Sequence, residues 1–100
     1  MSRLWVDDLR PAPAGWTWAK SSAEAIELLA AAEFAAISLD HDLGGDDTTR
    51  PVVRWLCEHD RWPAVVHVHT ANPVGREWLT GMARRYGPGV RPVRPRRQSP

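Results

Sequence analysis

A chain of 100 residues, 43% hydrophobic and 25% charged, has room for one domain and one core. No apolar run approaches the about 20 residues of a membrane span; the N-terminus lacks signal-peptide architecture, and the single cysteine, Cys57, excludes an internal disulfide, so a reducing, cytoplasmic setting is expected. The formal net charge of +1 hides an asymmetry: residues 91–100 carry four arginines and no acid, whereas residues 1–90 carry nine basic and twelve acidic groups.

In chain order, Arg3-Leu-Trp-Val6 is a short apolar run that reads as a buried strand ending in Asp7-Asp8. Two prolines and a glycine make residues 10–15 a loop, and Trp16-Thr-Trp-Ala19 suits a short edge strand. Ser21 or Ser22 caps an alanine-rich helix over 22–34, with Ser21 and Glu24 at capping-box spacing and Ile26, Leu29, Ala30 and Phe34 on one face. Ala36-Ile-Ser-Leu39 is a second buried strand, and it too ends in acid, Asp40-His41-Asp42. After the turn at 43–47, Thr48 or Thr49 caps a helix with Pro51 in its first turn and Val52, Val53, Leu56 and Cys57 toward the core. Ala64-Val-Val-His-Val68 is a third buried strand, running into His69-Thr70-Ala71-Asn72. Asn72-Pro73 then opens a last helix over 74–86, with Trp78, Leu79, Met82, Ala83 and Tyr86 inward, and Gly87-Pro88-Gly89 stops it. Residues 90–93 offer a further short strand. The proline- and arginine-rich end, 91–100 taken whole, reads as a basic, disordered tail behind a domain over 1–90.

Apolar strands alternating with helices predict an α/β fold, a small doubly wound parallel sheet of about four strands with three helices. Ligands of such sheets sit outside the carboxyl ends of the strands. All the conspicuous polar residues fall at those ends. If the first strand and the one ending at Leu39 are neighbours, their ends lie about 4.8 Å apart. Carboxylates from Asp7, Asp8, Asp40 and Asp42 in that space would repel, and a divalent cation relieves the repulsion. Oxygen ligands without a cysteine pair favour Mg2+ or Mn2+. The plainer reading makes these acids turn residues, as Asp46-Asp47 are taken to be.

His67 and His69 are two apart, so an extended chain puts them on one side. His69 and His41 are candidate acid–base groups beside carboxylates. His67 is a candidate substrate contact, or a strand histidine satisfied locally. No helical histidine spacing supports zinc. Thr70 is a candidate hydroxyl donor to a phosphoryl oxygen, and Asn72 is an N-cap that could also touch substrate. Trp16 or Trp18 could stack on a base or serve packing alone.

Leu-Trp-Val-Asp7-Asp8-Leu-Arg-Pro, Leu-Asp40-His41-Asp42-Leu-Gly and His67-Val-His69-Thr70-Ala-Asn72-Pro together resemble the cyclic-phosphate processing receiver domains, over roughly residues 3–86. These are compact relatives of response-regulator receiver domains. The resemblance implies a receiver-like, flavodoxin-like fold in which Asp7, Asp8 and Asp40 bind magnesium, Asp40 occupies the phosphoacceptor position, and Thr70 stands at the hydroxyl position. It also implies that loop 10–15 replaces the first receiver helix. One departure matters: receivers carry a lysine after a fifth strand, whereas the single lysine here is Lys20.

Without that lysine, and with added histidines, the expectation is a metal-dependent phosphoesterase acting on a cyclic phosphate of a nucleotide or RNA-derived product. Asp40 is then nucleophile or metal ligand, with His69, His41 and Thr70 assisting and Thr70, Asn72 and His67 contacting substrate. Two alternatives stand beside it. One is a stand-alone signalling domain phosphorylated on Asp40. The other is a non-catalytic metal-binding interaction module, with the arginine tail a possible nucleic-acid contact.

Overall fold

The computed structural model describes residues 2–92. The arginines at 94, 96 and 97, and with them most of the expected basic tail, lie outside the described residues. Four parallel strands form one sheet in the order β2-β1-β3-β4. They are β1 (Ser2–Val6), β2 (Trp16–Ala19), β3 (Phe34–Leu39) and β4 (Val65–Val68). The helices are α1 (Ser22–Ala31), α2 (Arg50–His59) and α3 (Pro73–Tyr86). The expected α/β sheet of four strands and three helices is therefore present. Val90 makes a parallel bridge to Val66, and Arg91 N–H donates to the Val66 carbonyl at 2.8 Å; of the further strand expected over 90–93, residue 93 lies outside the described residues.

Strand order reverses at β1, and this reversal decides where the helices go. The steps β2 to β3 and β3 to β4 run the same way across the sheet, so right-handed crossovers bring α1 and α2 to the same face. α3 packs beside α2 on that face. The step β1 to β2 runs the other way and would cross the opposite face, but residues 7–15 make it without a helix. Among the described residues the second face carries no helix.

Register sorts the side chains accordingly. Leu4, Ile37 and Val66 are aligned across β1, β3 and β4, and all are fully buried; Val6, Leu39 and Val68 repeat the row one pleat on. Those rows meet Ala25 and Leu29 of α1, Val52, Val53 and Leu56 of α2, and Leu79 and Ala83 of α3 in one cluster. The intervening residues, Trp5, Trp18, Ser38 and His67, point to the other face.

Three local expectations shift. Helix α1 ends at Ala31, not at residue 34: Ala32 is extended, and Phe34 is taken by β3, where it pairs with Ser2 and is buried. The alanine run sustains helix propensity but offers no large apolar group, so strand pairing of Phe34 wins. Tyr86, the last residue of α3, is 52% exposed rather than inward. Asp47 is more than a solvated turn residue: its carboxylate accepts from the Ser22 N–H at 2.8 Å and the Ser22 hydroxyl at 2.5 Å, tying the β3–α2 loop to the start of α1.

Candidate metal centre at the sheet edge

The carboxyl ends of β1, β3 and β4 are drawn together by ladder bonds that continue past the strands. Asp40 N–H donates to the Val6 carbonyl at 3.0 Å, and His69 N–H donates to the Leu39 carbonyl at 2.9 Å. Asp7, Asp40 and His69 are thereby aligned on adjacent strands. One ligand atom from each lies within 4.8 Å of the other two.

Asp7 is 1% exposed, and a buried carboxylate needs partners. Its Oδ1 accepts from the backbone N–H groups of Leu9 and Arg10 at 2.9 and 3.0 Å, and its Oδ2 is 3.0 Å from His69 Nε2. Arg10 Nε stands 3.7 Å from the same oxygen. Burial pulls the Asp7 carboxyl upward, but the Arg10 and Leu9 N–H groups and His69 outweigh it and hold the group below its ordinary value. Asp7 is therefore ionised and can only accept. Nε2 of His69 must carry the proton, and Nδ1, 2.7 Å from Ser38 Oγ, accepts from that hydroxyl. Desolvation keeps His69 neutral, with its pKa below the ordinary value despite the pull of Asp7 and Asp40. Both ring nitrogens are thus occupied. Trp5 stacks on the ring, and Arg10 Nη1 donates to the His69 carbonyl at 3.1 Å.

Asp40 differs from Asp7. Its Oδ1 accepts from the His41 N–H at 2.8 Å, and its Oδ2 has no hydrogen bond to a described residue. Two carboxylates, one with a free oxygen, suit a hard divalent ion that keeps waters for a phosphate ligand. His69, saturated by Ser38 and Asp7, orients a ligand rather than being one.

The other sequence candidates occupy different places. Asp8, past the end of β1 like Asp7, lies against Gly44 and outside the three-residue group. Asp42 is 60% exposed on its side chain, accepts from His41 Nδ1 at 2.9 Å and from Asn72 Nδ2 at 3.1 Å, and also lies outside that group. The first of those bonds, ahead of the second, holds its carboxyl below the ordinary value. His41 is buried: its Nε2 accepts from Arg50 Nε at 3.0 Å and its ring packs on Gly75 of α3. It links the β3–α2 loop to both helices. Thr70 is buried, and its Oγ1 accepts from the Asn72 N–H at 3.2 Å, leaving its hydroxyl hydrogen free to donate. Asn72 caps α3, accepting from Gly75 N–H at 3.1 Å. His67 lies on the helix-free face, with its Nδ1–H on the Arg91 carbonyl at 2.6 Å.

Sequence reasoning did not single out Ser38, Trp5 or Arg10. The one available signal was Ser38 itself, a lone polar residue inside the apolar run Ala36–Leu39, two positions before Asp40.

A family model described as the cyclic-phosphate processing receiver domain matches residues 2–85. No curated protein and no solved structure matches the chain.

Proposed function

The chain belongs to the family of cyclic-phosphate processing receiver domains, and from that premise we propose that it is a metal-dependent phosphoesterase acting on a cyclic phosphate of a nucleotide or RNA-derived product. One observation carries the reading. Asp7, Asp40 and His69 converge within 4.8 Å at the edge where open parallel sheets take their ligands. Asp7 and Asp40 are the residues to hold Mg2+ or Mn2+, which when bound supplies positive charge to a phosphoryl oxygen.

The chain's own groups then divide the work. The Arg10 and Leu9 N–H groups, with His69, keep Asp7 ionised, and the His69 bond aims its carboxylate. The free oxygen of Asp40 is the one left for the ion. The Thr70 hydroxyl donates to a phosphoryl oxygen. Water's oxygen bonds to phosphorus while one ring P–O ester bond breaks. The proton released by the attacking water goes to the leaving oxygen, giving an acyclic phosphomonoester and a free hydroxyl. Storage of the phosphoryl group on Asp40 is the weaker reading, because Lys20, the single lysine, places its ammonium 4.3 Å from the Trp18 ring centre.

The test is turnover of a panel of cyclic phosphates with Mg2+ or Mn2+, comparing wild type with Asp40→Ala and His69→Ala. Hydrolysis by wild type and loss in both folded variants supports the reading. Absence of turnover on every compound, with durable labelling of Asp40 by acetyl phosphate, would replace it with a signalling role.

A further inference from the structure

The sheet face without helices is where tryptophans and arginines collect. Alternation along β1 puts Arg3 and Trp5 there, and their partners in β2 are Trp16 and Trp18. A cavity of about 400 Å³ opens on this face between Trp5, Pro13, Trp16, Ser38, His67 and Arg91, a size that suits a small ligand. Trp5 and Trp16 meet nearly at right angles, with centroids 6.0 Å apart, so a flat ring laid on one presents its edge to the other.

Among the described residues, the charged side chain lining this cavity is Arg91, and Arg3 flanks it. The Arg3 guanidinium lies 5.0 Å from the Trp16 ring centre, Arg10 bonds the His69 carbonyl, and Arg91 lines the cavity, to which no carboxylate contributes. A second copy docking by the same face would bring arginines against arginines. An anion carrying a flat aromatic ring fits both features. His67 adds a polar contact: with Nδ1–H committed to the Arg91 carbonyl, its Nε2 is an acceptor with no partner among the described residues.

The face is also continuous with the metal centre, because Trp5 stacks directly on His69. We infer that this helix-free face is a base-stacking platform, taking the nucleobase of a nucleotide whose phosphate lies at Asp7, Asp40 and His69. The inference rests on the phosphate reading above and adds the part of the substrate that the acidic site does not hold. Aromatic side chains on an exposed sheet are a recurrent way to stack bases.

The six indole N–H groups supply the test, since Trp5, Trp16 and Trp18 lie on the open face and Trp55, Trp62 and Trp78 pack against the core on the helix side. The 15N-labelled full chain is titrated in EDTA with adenosine 3′-monophosphate and, separately, with ribose 5-phosphate. The expected result is displacement of the Trp5 and Trp16 resonances by the nucleotide, far weaker displacement by the sugar phosphate, and still signals from Trp55, Trp62 and Trp78. Trp16→Ala should weaken nucleotide binding about fivefold or more, and the exposed Arg91→Ala, which leaves packing intact, by about threefold. Equal response to both phosphates, no response to the nucleotide, or response at the helix-side indoles alone would overturn the platform. So would the same open-face indoles shifting on dilution of ligand-free protein, which would assign the face to a second copy. Mn2+ broadening of resonances around Asp40 is read separately, so a failed platform and a failed metal centre are told apart.

Discussion

The imidazole of His69 lies flat on the indole of Trp5, with centroids 3.9 Å apart and planes within 5°. This stack closes one side of the His69–Asp7 pair against water, and desolvation is the largest influence holding His69 below its ordinary pKa. Trp5→Ala removes the cover. The His69 pKa should then rise, because the attraction of Asp7 acts without the opposing loss of hydration. The folded state should lose about 2 kcal/mol for a half-buried indole, less than the about 3–5 for full truncation in a core. Titration of the imidazole C–H resonance by NMR checks the shift; an unchanged midpoint would show that Trp5 does not shield the ring.

The same pair sets how stability depends on pH. His69 is depressed in the folded state, so the unfolded chain binds the proton first. Its contribution is complete above the ordinary value of 6.5 and is lost as pH falls through 6.5 toward the folded pKa. Asp7 is also depressed, and its contribution is lost lower down, as pH falls below 3.8. Urea midpoints should therefore drop between pH 7.5 and 5 in wild type. In His69→Gln the slope over that interval should flatten while the decline at lower pH remains. A slope carried unchanged by the variant would place the titrating group elsewhere.

The strand ends were legible because short, mainly apolar runs stop abruptly at acids, at Val6-Asp7 and Leu39-Asp40. Parallel pairing follows from the intervening helices, and with it the gathering of Asp7, Asp40 and His69 on one edge. Period-two alternation was not enough to choose between Asp7 and Asp8. Either could have turned inward, and the choice is made by the Leu9 and Arg10 N–H groups curling back on Asp7. The Ser38–His69–Asp7 chain was illegible for a different reason. It joins three strands across 31 and 62 residues of sequence, and only the register brings them level. The bare face was half legible, since the family resemblance implied that loop 10–15 replaces the first crossover helix, but its consequence for the tryptophans needed the strand order.

His41 holds a neighbouring contact that can be broken without touching the acids. A Cβ at Gly75 would come 2.6 Å from His41 Cβ and closer still to its ring. Both groups sit in packed surroundings, His41 tied by Asp42 and Arg50 and Gly75 inside the first turn of α3. Gly75→Ala should therefore destabilise by about 1–3 kcal/mol through overpacking, despite the better helix propensity of alanine. Chemical denaturation measures this directly. In a His41→Gly background, which removes both the ring and the Cβ that the methyl would strike, Gly75→Ala should cost less than in wild type; an equal cost in both backgrounds would mean that the helix start, not His41, resists the methyl.

If Asp7 and Asp40 hold a divalent ion, the ion binds the folded state alone, because the two carboxylates meet only through strand pairing. Folding is then stabilised by mass action, about 2.7 kcal/mol when free metal reaches a hundred times its Kd. Raising Mg2+ or Mn2+ should lift the melting temperature of wild type and leave Asp40→Asn unmoved. That variant keeps the shape of the site and removes half of its paired charge. Without metal, Asp40→Asn should equal or exceed wild type in stability, since it relieves repulsion between two ionised carboxylates. A variant that melts lower than wild type without metal, and gains as much as wild type when metal is added, would show that Asp40 is held for packing and that the ion binds elsewhere.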